Sequence, residues 1–402
     1  MENDHDIQHL QGSLVVEHTY SKLTSQKLRT MMLRESPLRT LGAYNGQQAV
    51  QYVKAGLRCI YVSGWQVAAC ANTSGETYPD QSLYPVDSVP KVVYNIVHSL
   101  LRADKIQTLS GSSSTIDYLV PLVADGEAGF GGVLNVFELT RKMIEAGAAA
   151  IHFEDQVAAE KKCGHLGGKV LIPASQFVQT LRAARLASRV ENCPDFVIIA
   201  RTDAEAAKWI SSDVDEETDA SFLLLEEPRS PEGYYRFRNG IEACIARGLL
   251  YAEYADLVWF ETSTPDLDMA RRFAEAIHKK YPDYPLAYNC SPSFHWKAHL
   301  DDQKLQEFQN ELGKMGYRFQ FITLAGFHAT NLACFEMASQ YRESGMQAYS
   351  DIQQREMNRV EEGYTAVRHQ QEVGTHYFDA ISEMLGRKTT RAMTDSTEHA
   401  QF

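Results

Sequence analysis

The stretch VLNVFELTRKMIEAGAAAIHFED (133–155) decides the fold. Residues 133–147 read as a helix that stops at Gly147. A short apolar run, AAIHFED (149–155), follows and ends in two carboxylates. The same pattern of short β-branched or aromatic runs ending in polar residues or glycine recurs along the chain. The other runs are RTLGAY (39–44), RCIYVSGW (58–65), DYLVPLVAD (117–125), FVIIARTD (196–203), ADLVWFET (255–262), PLAYNC (285–290) and RFQFITLAG (318–326). Helix-like segments such as LDMARRFAEAIHKKY (267–281) lie between them. Alternating strand and helix predicts a parallel sheet, and eight units predict an α/β fold of the closed (β/α)8 TIM-barrel type. An open doubly wound sheet is the rival, and RTLGAY, with Gly42 inside it, is the weakest strand.

Two stretches fall outside this pattern. Residues 1–38 read as a polar, helical N-terminal extension covering the barrel bottom or contacting a partner. Residues 39–387 form the barrel, with an acidic, proline-containing insertion at about 204–250 after the fifth strand. Residues 388–402 read on their own as a polar, frayed tail.

The chain has 402 residues, with 39 Lys+Arg against 52 Asp+Glu, for a formal charge of −13. An acidic balance disfavours nucleic acid as the main partner, because phosphate binding needs a basic face. A small anionic substrate stays compatible, since local groups hold it. No run approaches a membrane span. The first residues lack the basic and apolar regions of a secretory signal. Seven cysteines, an odd count without a CxxC pair, suggest a reduced intracellular protein. The expected location is therefore cytoplasmic.

Polar residues gather at the C-terminal ends of the eight runs, and in a barrel these ends share one face. Asp80, Asp125, Glu127 and Glu154 are carboxylates that would repel one another unless a cation sat among them, and hard oxygen donors suit Mg²⁺, with Mn²⁺ as the alternative. The segment EKKCGHLGGK (160–169) sets Cys163 between two lysines and His165 among three glycines. Nearby cations favour a thiolate, and glycines let a loop fold over a ligand as a lid. His165 suits proton transfer or substrate binding. Arg201 can take a carboxylate through two parallel hydrogen bonds. Asn289, Ser291, Ser293, Thr323, Ser63, Trp65 and the Gly64 backbone add donors, although turn formation is the commoner role of a single Ser or Thr. GFGG (129–132) lacks the lysine of a phosphate-binding loop and reads as a turn.

These strings resemble those of the isocitrate lyase family, within the wider group of phosphoenolpyruvate mutase-like barrels. The resemblance rests on KKCGH at 161–165 with LGGKVLIP after it. SGWQVAACAN, YPDQSLYP, VADGEAGFGG, HFEDQ, ARTDAEAA, ADLVWFETSTPDL, AYNCSPSF, FQFITLAGFH and HQQEVGTHYFD extend it from about residue 39 to the C-terminus. It implies a Mg²⁺-dependent carbon–carbon lyase that cleaves isocitrate to glyoxylate and succinate in the glyoxylate cycle. It also implies a barrel that swaps its last helix with a neighbour in a homotetramer. Position by position, Asp125 is the direct metal ligand, while Asp80, Glu127 and Glu154 hold metal-bound waters. Cys163 is the catalytic thiol, with Gly164 and His165 on the substrate. Ser63, Gly64 and Trp65 bind substrate, and Arg201, Asn289, Ser291, Ser293 and Thr323 grip its carboxylates. His152 and Glu261 surround them. Tyr61 and a site carboxylate are alternatives for the base that takes the hydroxyl proton. The resemblance further implies that the C-terminal tail holds the closed lid.

The chain departs from the family at Cys70, where Asp is usual, and at His295, where Asn is usual. Residues before 39 are shorter and less family-like. The nearest rival, 2-methylisocitrate lyase, usually carries Lys-Arg-Cys-Gly-His where this chain has Lys162. A barrel that had lost catalysis would be expected to lack Cys163, Asp125 or Arg201, and all three are present.

Overall fold

The computed structural model describes residues 4–34, 37–111, 116–393, 396–397 and 401. Eight parallel strands close into a barrel: β1 (Leu38–Ala43), β2 (Ile60–Val62), β3 (Leu122–Asp125), β4 (Ala150–Glu154), β5 (Val197–Thr202), β6 (Leu257–Phe260), β7 (Leu286–Asn289) and β8 (Tyr317–Ile322). Each strand pairs with its neighbours in sequence, and β1 closes on β8 with Leu38 opposite Phe319. Every strand falls within a run read from the sequence or one residue before it. RTLGAY is a full strand despite Gly42. A Cβ at Gly42 would lie 1.9 Å from the Thr323 carbonyl oxygen, so this position needs glycine for the close approach of the two chains.

Side-chain alternation sorts each strand into two faces. Ile60, Val62, Leu122, Ala124, Ile151, Phe153, Ile198, Ala200, Val258 and Phe260 pack outward in the core beneath the helices. Tyr61, Val123, Ala150, Val197, Ile199, Leu257, Trp259, Ala287, Phe319 and Phe321 fill the barrel interior. Stepping by two along the inward face leads from Val123 to Asp125 and from Ala150 through His152 to Glu154. The same steps lead from Val197 through Ile199 to Arg201, from Trp259 to Glu261, and from Ala287 to Asn289. The interior packing register therefore delivers the polar residues to the barrel mouth.

The opposite end is plugged. Helix Thr19–Arg34 sends Leu28, Met31 and Met32 into the interior cluster. Its Ser25 donates to the Ala149 carbonyl at 3.0 Å, and Arg29 reaches Asp256 at 2.9 Å.

The long segment after β5 carries two short strands, Trp209–Ile210 and Tyr235–Arg236, before helix Ile241–Tyr251 returns to pack on β5 and β6. Val170–Leu171 joins those strands in a small three-stranded sheet beside the mouth. Arg247 is fully buried and ties this layer to the barrel through Asp155 at 2.8 Å and Asp219 at 2.9 Å. After β8, helix Ala325–Ser344 contacts β1, but Gly326 is its one buried residue. Among the described residues, no helix is long and apolar enough to cross a membrane.

Candidate active site

Ladder register sets the first contacts at the mouth. Asp125 lies opposite His152, Glu154 opposite Arg201, and Arg201 opposite Trp259. Asp125 accepts from the Gly64 N–H and from the Glu127 N–H, both at 2.9 Å. Burial alone would raise its pKa, but Lys161 and these two N–H groups, with His152 whenever it is protonated, hold it below the usual carboxylate value. A Cβ at Gly64 would sit 2.4 Å from Glu127 and 2.8 Å from Asp125, so glycine is what lets the backbone approach both carboxylates. Glu127 has φ 54, a left-handed conformation that disfavours a residue with a Cβ. The surrounding bonds compensate: its N–H meets Asp125 and its carbonyl accepts from the Glu154 N–H at 3.1 Å.

Asp80, Glu127 and Glu154 converge on one ammonium group. Lys161 pairs directly with Asp80 and Glu127 and lies 3.7 Å from Glu154. Tyr84 also donates to Glu127. Six buried carboxylates (Asp80, Asp125, Glu127, Glu154, Asp203 and Glu261) face three buried cations (Lys161, Lys169 and Arg201). Burial, then Asp80, pushes Glu127 well above the carboxylate range. Burial pushes Glu154 up to about 8 against the pull of Arg201 and Lys161. This excess of hard oxygen donors fits a divalent cation. Among the described residues, no three His, Cys, Asp or Glu side chains form a direct ligand cage.

Arg201 is built differently from its expected two-handed grip on a substrate. Its Nε and Nη2 donate to Asp203 at 3.0 and 2.9 Å, and Nη1 lies 3.1 Å from Glu154. Its guanidinium also stacks over Trp259, 4.6 Å from the ring centroid. Asp203 thus holds the side edge, and Glu154 faces Nη1 at the other end.

The lid segment lies down on the mouth. A Cβ at Gly164 would be 2.7 Å from Glu261 and 2.8 Å from Arg201. His165 Nδ1 is 3.4 Å from the Ser291 hydroxyl, and its Nε2 lies 3.5 Å from Glu261 without forming a hydrogen bond. Asn289 donates to Glu261 at 3.0 Å. Buried His165 Nε2, Glu261 Oε2 and Asn289 Oδ1 have no hydrogen-bond partner among the described residues. Ser291 caps its own turn through the Ser293 N–H at 3.1 Å, and Ser293 is exposed. Ser63 is buried and caps helix Gly64–Cys70, while Trp65 meets Phe327 edge-on. Thr323 is half-buried at the end of β8.

Two expectations change. The lysines beside Cys163 do not favour a thiolate. Burial dominates, Asp80 adds to it, and the thiol is pushed up to about 12 despite Lys161, Arg201 and the His165 N–H. Lys161 is committed to carboxylates rather than to sulfur. Tyr61 is buried with its hydroxyl 2.8 Å from His152 Nε2 and 3.4 Å from Asp125. Burial and Asp125 drive its pKa well above 10, which disfavours the phenolate a base would need. His152 is held down to about 4, chiefly by burial, and is therefore neutral.

Sequence reasoning placed Asp203 on this face without a role, and did not single out Tyr84, Lys169 or Gln156, although each stands inside a quoted motif. The described tail, to residue 393, folds back on helix Thr375–Met384 through the Ala392 and Met393 N–H groups on Asp379, both at 2.7 Å. Residues 394–395, 398–400 and 402, part of the expected lid clamp, lie outside the described residues.

A family model described as the isocitrate lyase family matches residues 3–225 and 219–402. Its match begins at residue 3 and so takes in most of the stretch before residue 39, which by its sequence is less family-like. The isocitrate lyase of Halalkalibacterium halodurans is 57% identical over 395 residues, covering 98% of this chain and 91% of the relative. Isocitrate lyase 1 of Mycobacterium tuberculosis is 55% identical over 398 residues, covering 99% and 92%. Among solved structures, an oxaloacetate acetylhydrolase bound to 3,3-difluorooxalacetate aligns with TM-score 0.63 at 23% identity, covering 92% of this chain and 99% of that one. A 2,3-dimethylmalate lyase aligns at 0.61 with 20% identity, covering 91% and 96%. At such identities these two structures speak for the barrel alone.

Proposed function

The chain belongs to the isocitrate lyase family, and from that premise we propose that it cleaves isocitrate to glyoxylate and succinate at the barrel mouth. It is a carbon–carbon lyase. The observation that carries this reading is the pairing, on one face, of a nest holding more buried acidic groups than buried cations and a protonated thiol on the lid above it.

Asp125 is the residue to hold a Mg²⁺ ion directly, with Mn²⁺ as the alternative, and Asp80, Glu127 and Glu154 would hold its waters. A divalent cation there supplies positive charge that polarises the substrate oxygen on the glyoxylate side of the breaking bond. The residues of the chain do the rest. Arg201, with Asn289, Ser291, Ser293 and Thr323, holds substrate carboxylates and stabilises the charge that develops on the succinate fragment. His165 and the Gly64 and Gly164 backbones fix its orientation, with Ser63 and Trp65 on the other side. Retro-aldol cleavage needs a base for the substrate hydroxyl and an acid for the new carbanion. We read a site carboxylate rather than Tyr61 as that base, since burial holds Tyr61 as a phenol. Cys163 is held as a thiol, the form that can give its proton to the carbanion.

We read the assembly as a cytoplasmic homotetramer in the glyoxylate cycle, with no membrane or nucleic-acid partner. Helix Ala325–Ser344 exposes Leu332, Phe335 and Tyr341 and packs little on its own barrel, which supports a helix exchanged with a neighbour. A Caenorhabditis elegans relative that is 50% identical is named a bifunctional glyoxylate cycle protein, and the match covers 41% of its length. The reading is tested by comparing kcat/KM for isocitrate and 2-methylisocitrate in the presence of Mg²⁺. Preference for isocitrate is expected, and preference for the methylated acid would overturn it.

A further inference from the structure

We propose that Gln156 is a positioning residue that latches the closed lid and thereby sets the register of Cys163 at the mouth. The inference rests on the lyase reading for its catalytic meaning, and on geometry for the latch itself.

The lid, residues 158–169, is closed at its base by backbone bonds. The Val157 N–H donates to the Val170 carbonyl at 2.8 Å, and the Ile172 N–H to the Asp155 carbonyl at 2.9 Å. These bonds fix where the loop begins and ends. They do not fix where its tip lies. Gln156 sits inside that base, two residues beyond Glu154 on the inward-facing side, and is 1% exposed. Its carboxamide holds both backbone polar groups of one residue: the Lys162 N–H donates to Oε1 at 2.9 Å, and Nε2 donates to the Lys162 carbonyl at 2.9 Å. Lys162 is the residue before Cys163, so this grip sets the origin of the catalytic side chain.

The other N–H of the carboxamide points at the substrate-binding network. Nε2 lies 3.2 Å from Asp203 and 3.4 Å from Glu154. Asp203 holds the side edge of Arg201 and accepts from Lys169, at the far base of the lid, at 2.8 Å. One buried amide thus touches the lid peptide, the carboxylate that orients Arg201 and the carboxylate beside it. Only a neutral amide meets these demands. It supplies an acceptor for the Lys162 N–H and donors for both a carbonyl and a carboxylate. A carboxylate here would face the oxygens of Asp203, Glu154 and Lys162. An apolar side chain would leave the Lys162 peptide unpaired.

The test uses Gln156→Met, which roughly keeps the volume, and Gln156→Glu, which keeps the shape. Two readouts are taken on the full-length protein: the rate of tryptic cutting after Lys161 and Lys162, and kcat with isocitrate and Mg²⁺. Both variants are expected to be cut about tenfold faster or more than the parent, and to lose about 10–100-fold in kcat with a smaller change in KM. Thermal stability close to the parent's should accompany this. If Gln156→Met does not fold, Gln156→Glu carries the test. Parental cutting rate and parental kcat in a folded variant would overturn the latch. The proteolysis readout needs no turnover. A parent protein that is inert toward isocitrate but is still cut faster on substitution would sink the lyase reading and leave the latch standing.

Discussion

At the N-terminal end of the barrel, the Ser25 hydroxyl meets the Ala149 carbonyl and Arg29 closes on Asp256. At the C-terminal end, Glu127 is wholly buried with Asp80 and Glu154 around a single lysine, and His165, Glu261 and Asn289 keep buried polar atoms without partners. The two ends share strands, core and curvature. They differ in how polarity is satisfied. The bottom pairs Ser25 and Arg29 with acceptors within the chain and adds Leu28, Met31 and Met32 as a plug, which is what stability asks for. The mouth gathers more carboxylates than cations and strains Glu127, which costs stability and makes sense for a face that binds a cation and a polyanion.

The sharpest way to break this contrast is Asp125→Ala. It removes the mouth carboxylate read as the direct cation ligand, and metal-dependent glyoxylate release should fall to background at every Mg²⁺ concentration. Retained metal dependence would place the cation elsewhere. Cys163→Ser should fold and bind normally yet lose about 10²–10⁴-fold in turnover, because serine is a far weaker acid. Near-parental turnover, measured by the same glyoxylate assay, would remove the thiol from the mechanism. At the other end, Leu28→Ala should cost about 2–5 kcal/mol in denaturant unfolding while leaving kcat unchanged below the unfolding transition. A drop in kcat without loss of stability would show that the bottom is not merely a plug.

Smaller effects sharpen the picture. Because the Cys163 pKa is raised to about 12, the thiol form dominates at neutral pH and the reactive thiolate grows as pH rises. Its iodoacetamide alkylation should climb roughly tenfold per pH unit from 7 to 10, without the plateau of an ordinary thiol near pH 8.5. A plateau below pH 9, followed by mass spectrometry, would mean the lysines beside it win after all. Smallest is Ser25→Ala, which removes one of the two hydrogen bonds to the Ala149 carbonyl and should cost about 1 kcal/mol in the same unfolding measurement, with activity intact.

Most of the fold was legible because strand signals are local. Apolar runs ending in polar residues identify eight strand ends, and eight parallel units close. The carboxylates, Cys163 and Arg201 were legible for the same reason, since each stands at a strand end or in a glycine-rich loop. What was not legible depends on folding back. KKCGH shows two lysines beside a thiol, and only the closed lid shows Lys161 turned away from sulfur into Asp80 and Glu127. ARTDA shows an arginine, and only the mouth shows Asp203 already holding its side edge. Gln156 carries no reactive signature in HFEDQ, and its meaning comes from Lys162, six residues later, returning to it.

The central claim is that the crowded mouth is a cation-assisted site for breaking a carbon–carbon bond, and glyoxylate release from isocitrate after chelator treatment tests it most directly. The account predicts release that disappears on removal of divalent cations and returns on adding Mg²⁺. Release that is indifferent to chelation, or none from the Mg²⁺-replete protein, would contradict it.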